Sequence, residues 1–339
     1  MHNINKNLLD NSFSTGLFPT VQEGKVQKTT FLPGTFNIIG GTTGSGITSA
    51  LCSLTAEALN QGKTVAYLAN NDPIDRILAK IQLSLLAQKY FYEQNDTDPL
   101  RSEDPFRKYI ELIVKQENPR DTIQTKALQG GYNPFCEFYN SRKLFFKYFQ
   151  TTGDNPGEDW EYFADLVRGL PEGSIIMVDY LQGLNIYPGE KEDPSKWAYI
   201  NQQRRLVYGI HNLAIETGNI FICDALFKNC DCKKKLKLSD FTGPKNIEST
   251  ADIAIGINKY WDTTSSNSVS YYQVLKNNVA APSSSIWLDK TGYPYGFIHA
   301  KMDKNGMLCD DFEKQWNNQS LEDWAANLEI DNDPHDLDL

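Results

Sequence analysis

A glycine-rich run, Gly41-Thr42-Thr43-Gly44-Ser45-Gly46-Ile47-Thr48, interrupts this 339-residue sequence just after a short apolar stretch. Its spacing fits G-x-x-x-x-G-K-[ST], in which glycines let backbone N–H groups converge on phosphate oxygens at a helix N-terminus. A lysine then reaches the outer phosphates, and a hydroxyl holds Mg2+. One fixed position departs: Ile47 stands where the lysine belongs. Taken alone, a Gly-rich turn without the lysine reads equally well as a plain structural turn.

A second feature bears on that choice. Ser174-Ile175-Ile176-Met177-Val178-Asp179 is an apolar run ending in a carboxylate. A strand of a parallel sheet delivers such a group to the crevice at the strand's carboxyl end, where Mg2+ and phosphates are held. A third feature is the basic segment Lys228, Lys233, Lys234, Lys235 and Lys237, in which Asp231 is the single acid. Lysines in a loop suit contact with a phosphate backbone without reading sequence, and equally suit a solvated charge run. Cys230 and Cys232 form a C-x-C pair with no nearby second pair to complete a zinc site, and the six cysteines give no disulfide framework.

These groups need elements to position them. Residues 35–39 read as a strand, 48–59 as a helix ending before Gly62, and 63–69 as a second buried strand. Strand, Gly-rich turn, helix and strand make a βαβ unit and imply a parallel sheet. Residues 74–170 read as mainly helical, with aromatic clusters at Tyr90-Phe91-Tyr92 and from Phe135 to Phe149 that are expected to pack in the core. Further expected elements are a strand at 174–179, a helix near 199–217, strands at 219–223, 252–257 and 269–275, and a hairpin-like run to about 301. The polar stretch 1–30 reads as an arm, with the folded body starting near Phe31.

Composition bounds the class. Hydrophobic residues make up 40% and charged residues 22%, as in ordinary globular domains. No apolar run is long enough to span a bilayer, and the first residues lack the apolar core of a signal peptide, so a cytosolic chain without membrane contact is expected. The net charge of −10 is unevenly spread. Ten of the acids and a single lysine fall in 310–339, leaving residues 1–309 near neutrality. That tail alternates acidic and apolar residues, a pattern expected to dock on a protein partner or simply to solubilise.

The text after the apolar strand, Asp179-Tyr180-Leu181-Gln182, resembles the D-Y-L-Q signature of DnaB-type replicative DNA helicases. Further similar segments follow in order: Leu238-Ser239-Asp240-Phe241, Ile247-Glu248-Ser249-Thr250-Ala251-Asp252 and Val274-Leu275-Lys276-Asn277-Asn278. Phe13-Ser14-Thr15-Gly16-Leu17 is similar to the family's T-G-hydrophobic lead-in. The resemblance implies an α/β, RecA-like P-loop fold over 31–309, a mostly parallel central sheet flanked by helices, with a helical insertion at about 74–170 and a tail at 310–339. It implies ATP or ADP with Mg2+ at Gly41, Thr42, Thr43, Gly44, Ser45, Gly46, Thr48 and Asp179, the metal on Thr48 and Asp179. It also implies single-stranded DNA on the lysine segment, a homo- or hetero-oligomeric ring, and a replication or recombination partner.

The departures fall on the catalytic positions. The phosphate-loop lysine is Ile47, the catalytic Glu falls at Asn71, the Gln near Ala225 and the arginine finger at Asn278. Asp72 and Lys276 stand ready as substitutes. A general base contributes roughly 10²–10⁴ in rate, and an arginine finger about 10³–10⁵. The first expectation is therefore a DNA- or replisome-associated protein whose nucleotide site hydrolyses weakly or not at all. An active helicase using Asp72 and Lys276, and a structural adaptor, remain as alternatives.

Overall fold

The glycine-rich turn leaves the central sheet from its interior, on strand β3 (Phe36–Gly41), which lies between β7 (Ile220–Leu226) and β8 (Ile253–Trp261) and runs parallel to both. The computed structural model describes residues 10–22, 25–70, 72–93, 133–149, 156–188, 196–228, 236–261, 268–279 and 286–289. Asn71, Lys233, Lys234, Lys235, Cys230, Cys232, Cys309 and the tail 310–339 lie outside them.

In chain order a two-stranded hairpin, β1 (Phe13–Gln22) and β2 (Lys25–Phe31), precedes β3. Then come α1 (Ile47–Asn60), β4 (Val65–Ala69), α2 (Ile74–Glu93), α3 (133–140), β5 (Leu144–Tyr148), α4 (Pro156–Arg168) and β6 (Ile175–Asp179). Next are α5 (Lys196–Thr217), β7, the short α6 (Asn246–Thr250), β8, β9 (Ser268–Asn277) and β10 (Ile286–Asp289). The main sheet has the order β10-β9-β8-β3-β7-β6-β4-β5. From β8 to β5 its neighbours are parallel, and β9 and β10 extend it antiparallel beyond β8.

Strands such as Ile175-Ile176-Met177-Val178 are apolar at every position because both faces of the sheet are covered. The pleat sends alternate residues to opposite layers. Ile38, Ile176, Val178, Phe221 and Cys223 pack on one side with Phe163 of α4 and Leu206 and Ile210 of α5. Ile39, Tyr67, Ile175, Met177 and Ile222 pack on the other with Leu51 and Leu54 of α1 and Ile77 and Ile81 of α2.

Two expectations need correction. The folded body takes in residues expected as an arm before Phe31: Phe13 and Phe31 stack at 5.8 Å, and Phe18 meets Tyr272 of β9 edge-on at 5.1 Å. The Thr15 hydroxyl and the Gly16 N–H both donate to the buried Glu57 carboxylate on α1. Sequence hid this hairpin because a register irregularity between Thr15 and Thr20 breaks the alternation, and its apolar face packs against α1 and β9, distant in sequence. Within the expected helical region, Leu144-Phe145-Phe146-Lys147-Tyr148 is the edge strand β5, parallel to β4. Its aromatics are strand formers, and Phe146 stacks on Tyr67 at 5.8 Å. The described parts of that region are otherwise helical. Among the described residues no helix is long and apolar enough to cross a membrane.

Candidate functional site

The loop Gly41–Thr48 takes the shape its glycines permit. Gly44 and Gly46 sit at φ 82° and 98°, left-handed values that a side chain would strain, and Gly46 caps the N-terminus of α1. A Cβ on Gly41 would lie 2.3 Å from Ser45 Oγ and 2.5 Å from the Ile257 carbonyl oxygen. The Ser45 N–H donates to the Thr42 carbonyl at 3.0 Å, and the Thr42 hydroxyl donates to Asn258 Oδ1 at 2.9 Å. Thr43 and Gly44 form the exposed tip. The Ser45 hydroxyl is buried without a partner.

Ile47 opens α1 and is only 6% exposed. It packs with Ile39, Leu51 and Ile257 in the layer beneath the loop. Burying such a side chain contributes about 1.5–3 kcal/mol. An ammonium cannot take that place without losing its hydration.

At the next helix position, Thr48 Oγ1 donates to Asp179 Oδ1 at 3.3 Å, and Tyr67 Oη donates to Asp179 Oδ2 at 2.7 Å. The start of α1 and the end of β6 thus meet through Thr48 and Asp179. Asp179 is 3% exposed, and burial pushes its carboxyl up. The Tyr67 hydrogen bond opposes that shift, the charge of Asp72 adds to it, and the Thr48 bond and Lys80 oppose it further.

The sequence reading missed Asp224. Parallel strands β6 and β7 register Val178 with Cys223, so the next residues, Asp179 and Asp224, stand side by side on the α1 face. Asp224 is 5% exposed and within hydrogen-bonding contact of Asp179. Burial, then the charge and hydrogen bond of Asp179, hold its carboxyl well above the usual range, with Asp72 contributing. Its Oδ1 has no partner. An acid ending the apolar run Ile220-Phe221-Ile222-Cys223, as Asp179 ends its own, was the available signal. Ala225, the expected Gln position, instead packs in the opposite layer among Ile38, Phe227 and Phe241, because adjacent strand residues face opposite ways. Below the carboxylates, the thiol of Cys52 is pushed up to about 12, mainly by burial.

The remaining candidates divide. Asp72 pairs with Lys80 at 3.5 Å and lies near enough to raise both buried carboxyls. Lys276 Nζ donates to the Glu248 and Ser249 carbonyls at 3.2 and 3.0 Å, holding the C-terminal end of α6 within its own chain. Asn278 is exposed and its N–H donates to the Asp252 carbonyl at 2.9 Å. Asp252 in turn receives the Phe36 N–H at 3.1 Å, tying β8 to the start of β3.

Lys228 and Lys237 are exposed at the two ends of the lysine segment, which leaves β7 at the same sheet end as the glycine loop. The segment has a closed neck. The Lys228 N–H donates to Asp240 O at 2.7 Å, the Thr242 N–H to Leu226 O at 2.8 Å, and Phe227 meets Phe241 edge-on at 4.5 Å. Gln182 clasps both sides: its Nε2 donates to Thr242 O at 3.2 Å, and its Oε1 accepts the Leu226 N–H at 3.1 Å.

No protein-family model and no curated protein matches the chain. Solved structures do. One, described as a DnaB-like replicative helicase and its interactions with primase, aligns with a TM-score of 0.55 at 16% identity, covering 77% of this chain and 57% of that one. The ATPase domain of G40P aligns with a TM-score of 0.56 at 15% identity, over 79% of this chain and 85% of that one. The fold is that of a RecA-like helicase domain. At this identity the likeness concerns the fold; the chain spans little more than half of the DnaB-like helicase.

Proposed function

We propose that this helicase-fold protein works in DNA replication or recombination by binding single-stranded DNA, a replisome partner or both, with a nucleotide site that hydrolyses weakly or not at all. The observation that carries this reading is Ile47, buried in the first turn of α1 where the loop pattern requires an ammonium. A nucleotide would keep the loop amides and Thr48, and lose one charge-assisted contact worth about 1.5–3 kcal/mol. The oxygen donors Thr48 and Asp179 fit a hard cation such as Mg2+. When bound, that ion would neutralise phosphate charge and polarise the phosphoryl group.

The alternative, an active ATP-driven translocase, is favoured by one observation: Asp72 stands close enough to Asp179 to influence it. Against it, Lys276 is engaged with two carbonyls of its own chain. ATP turnover measured with and without single-stranded DNA decides between them. Turnover at background is the expected result; turnover that Asp179→Ala abolishes overturns the proposal. The DNA half is tested by replacing Lys228, Lys233, Lys234, Lys235 and Lys237 with Ala. Unchanged affinity and salt dependence would leave a structural adaptor docking through 310–339.

A further inference from the structure

We propose that Lys80, on α2, supplies the cation that the glycine loop lacks, and pairs with the outer phosphates of a nucleotide held there. With Ile47 buried at the start of α1, those phosphates would meet loop amides but no side-chain cation from the loop. The contact forgone at Ile47 is restored from the neighbouring helix. The inference rests on Gly41–Thr48 being a nucleotide site, and it concerns binding, not turnover.

A chain of contacts leads from the loop to Lys80. Cys52 lies one turn beyond Thr48 on the same face of α1. Its thiol donates to the Tyr67 hydroxyl at 3.8 Å and to the Ile77 carbonyl of α2 at 3.9 Å, and Tyr67 in turn donates to Asp179. Lys80 is three residues past Ile77, a neighbour on the surface of α2. Helical side chains lean towards the helix N-terminus. That end of α2 follows β4, whose Ala69 is in register with Asp179 of β6. The Lys80 ammonium runs this way and meets Asp72, ahead of the first turn of α2, at 3.5 Å. From there its charge acts on Asp179 and on the Cys52 thiol.

The ion pair positions the ammonium without saturating it. Asp72 takes one contact from a group with three donors, and the Lys80 and Asp72 side chains are 23% and 32% exposed. The flexible four-carbon stem lets the ammonium turn from the carboxylate to a phosphate oxygen. A polyphosphate entering beside Asp72, Asp179 and Asp224 meets like charge, and Lys80 stands where it offsets that repulsion.

The test uses the full chain with Mg2+ and a fluorescent ATP analogue, displaced by ATP or by AMP, which lacks the outer phosphates. Lys80→Met should weaken ATP by about tenfold or more, as expected for the loss of one charge-assisted contact. Competition by AMP should not change, and Lys80→Arg should retain most of the ATP affinity. ATP binding that Lys80→Met leaves unchanged overturns the proposal. So does a variant that lowers the melting temperature without altering the preference for ATP over AMP, since Lys80 then only ties Asp72 to α2. A parent chain that binds no ATP overturns both the proposal and the reading of the loop as a nucleotide site, so the two failures are distinguishable. Should the variant fail to fold, acetylation of the unmodified chain gives a second reading. MgATP should shield Lys80 and leave Lys143, which precedes β5, labelled as before; equal labelling of Lys80 with and without MgATP overturns the proposal.

Discussion

The loop and the strand ends beneath it diverge in opposite senses. Gly41–Thr48 has the tight backbone turn its glycines permit, with Gly44 and Gly46 left-handed and Gly41 too crowded for a Cβ, yet a packed Ile47 stands where the loop pattern calls for an ammonium. The strand ends carry two buried carboxyls, Asp179 and Asp224. Shape is set by backbone sterics and survives side-chain replacement, whereas charge depends on single residues. Retained shape is therefore poor evidence of retained chemistry.

Replacing Ile47 tests the loop side most severely. Ile47→Lys should lower folding stability by about 2–3 kcal/mol in urea melts, from lost burial and the cost of an ammonium among Ile39, Leu51 and Ile257. A neutral substitution that also raises ATP turnover would mean the loop readily restores its cation, and the contrast would collapse.

On the strand side, Asp224→Asn addresses pH. The Asp224 carboxyl is raised on folding, so the native state holds its proton more tightly than the unfolded chain does. Without metal, that stabilisation is full below the unfolded pKa and is lost as pH rises towards the folded one, at up to ~1.4 kcal/mol per pH unit. Melts in EDTA between pH 5 and 8 should show this decline in the parent chain and a flatter profile in the variant. Equal slopes would show that the pair does not share charge.

Tyr67→Phe removes one hydrogen bond to Asp179 and should cost about 1–2 kcal/mol near neutral pH. It should also move the Asp179 carboxyl further up, read by carboxyl 13C shifts; an unmoved resonance would mean that Tyr67 merely packs. The smallest effect is expected from Lys237→Ala, which should reduce the salt slope of single-stranded DNA binding by about 0.7, the release of one counterion.

Much of the sheet was legible because its strands are apolar throughout and bounded by glycine. Ile47 was found because a spacing pattern pointed at it, and Asp179 because it ends an apolar run and opens the Asp179-Tyr180-Leu181-Gln182 text. Asp224 was not, since a continuous apolar run gives no indication of which face a residue takes; only its register beside β6 pairs it with Asp179. Attention fell on Ala225, one residue along, because the resemblance carries a Gln to that position, and it faces the other layer. The hairpin Phe13–Phe31 and the edge strand Leu144–Tyr148 owe their place to distant partners, which local periodicity cannot report.

The neck closed by Lys228, Asp240, Leu226, Thr242 and Gln182 makes the lysine segment a cassette. Both stumps are held by backbone hydrogen bonds and by the Phe227–Phe241 contact, so a protease nick within 229–235 should leave two fragments that stay associated. The same neck would accept a transplanted loop of another sequence, allowing the charge presented at this end of the sheet to be rewritten while the carboxylates below it stay where they are.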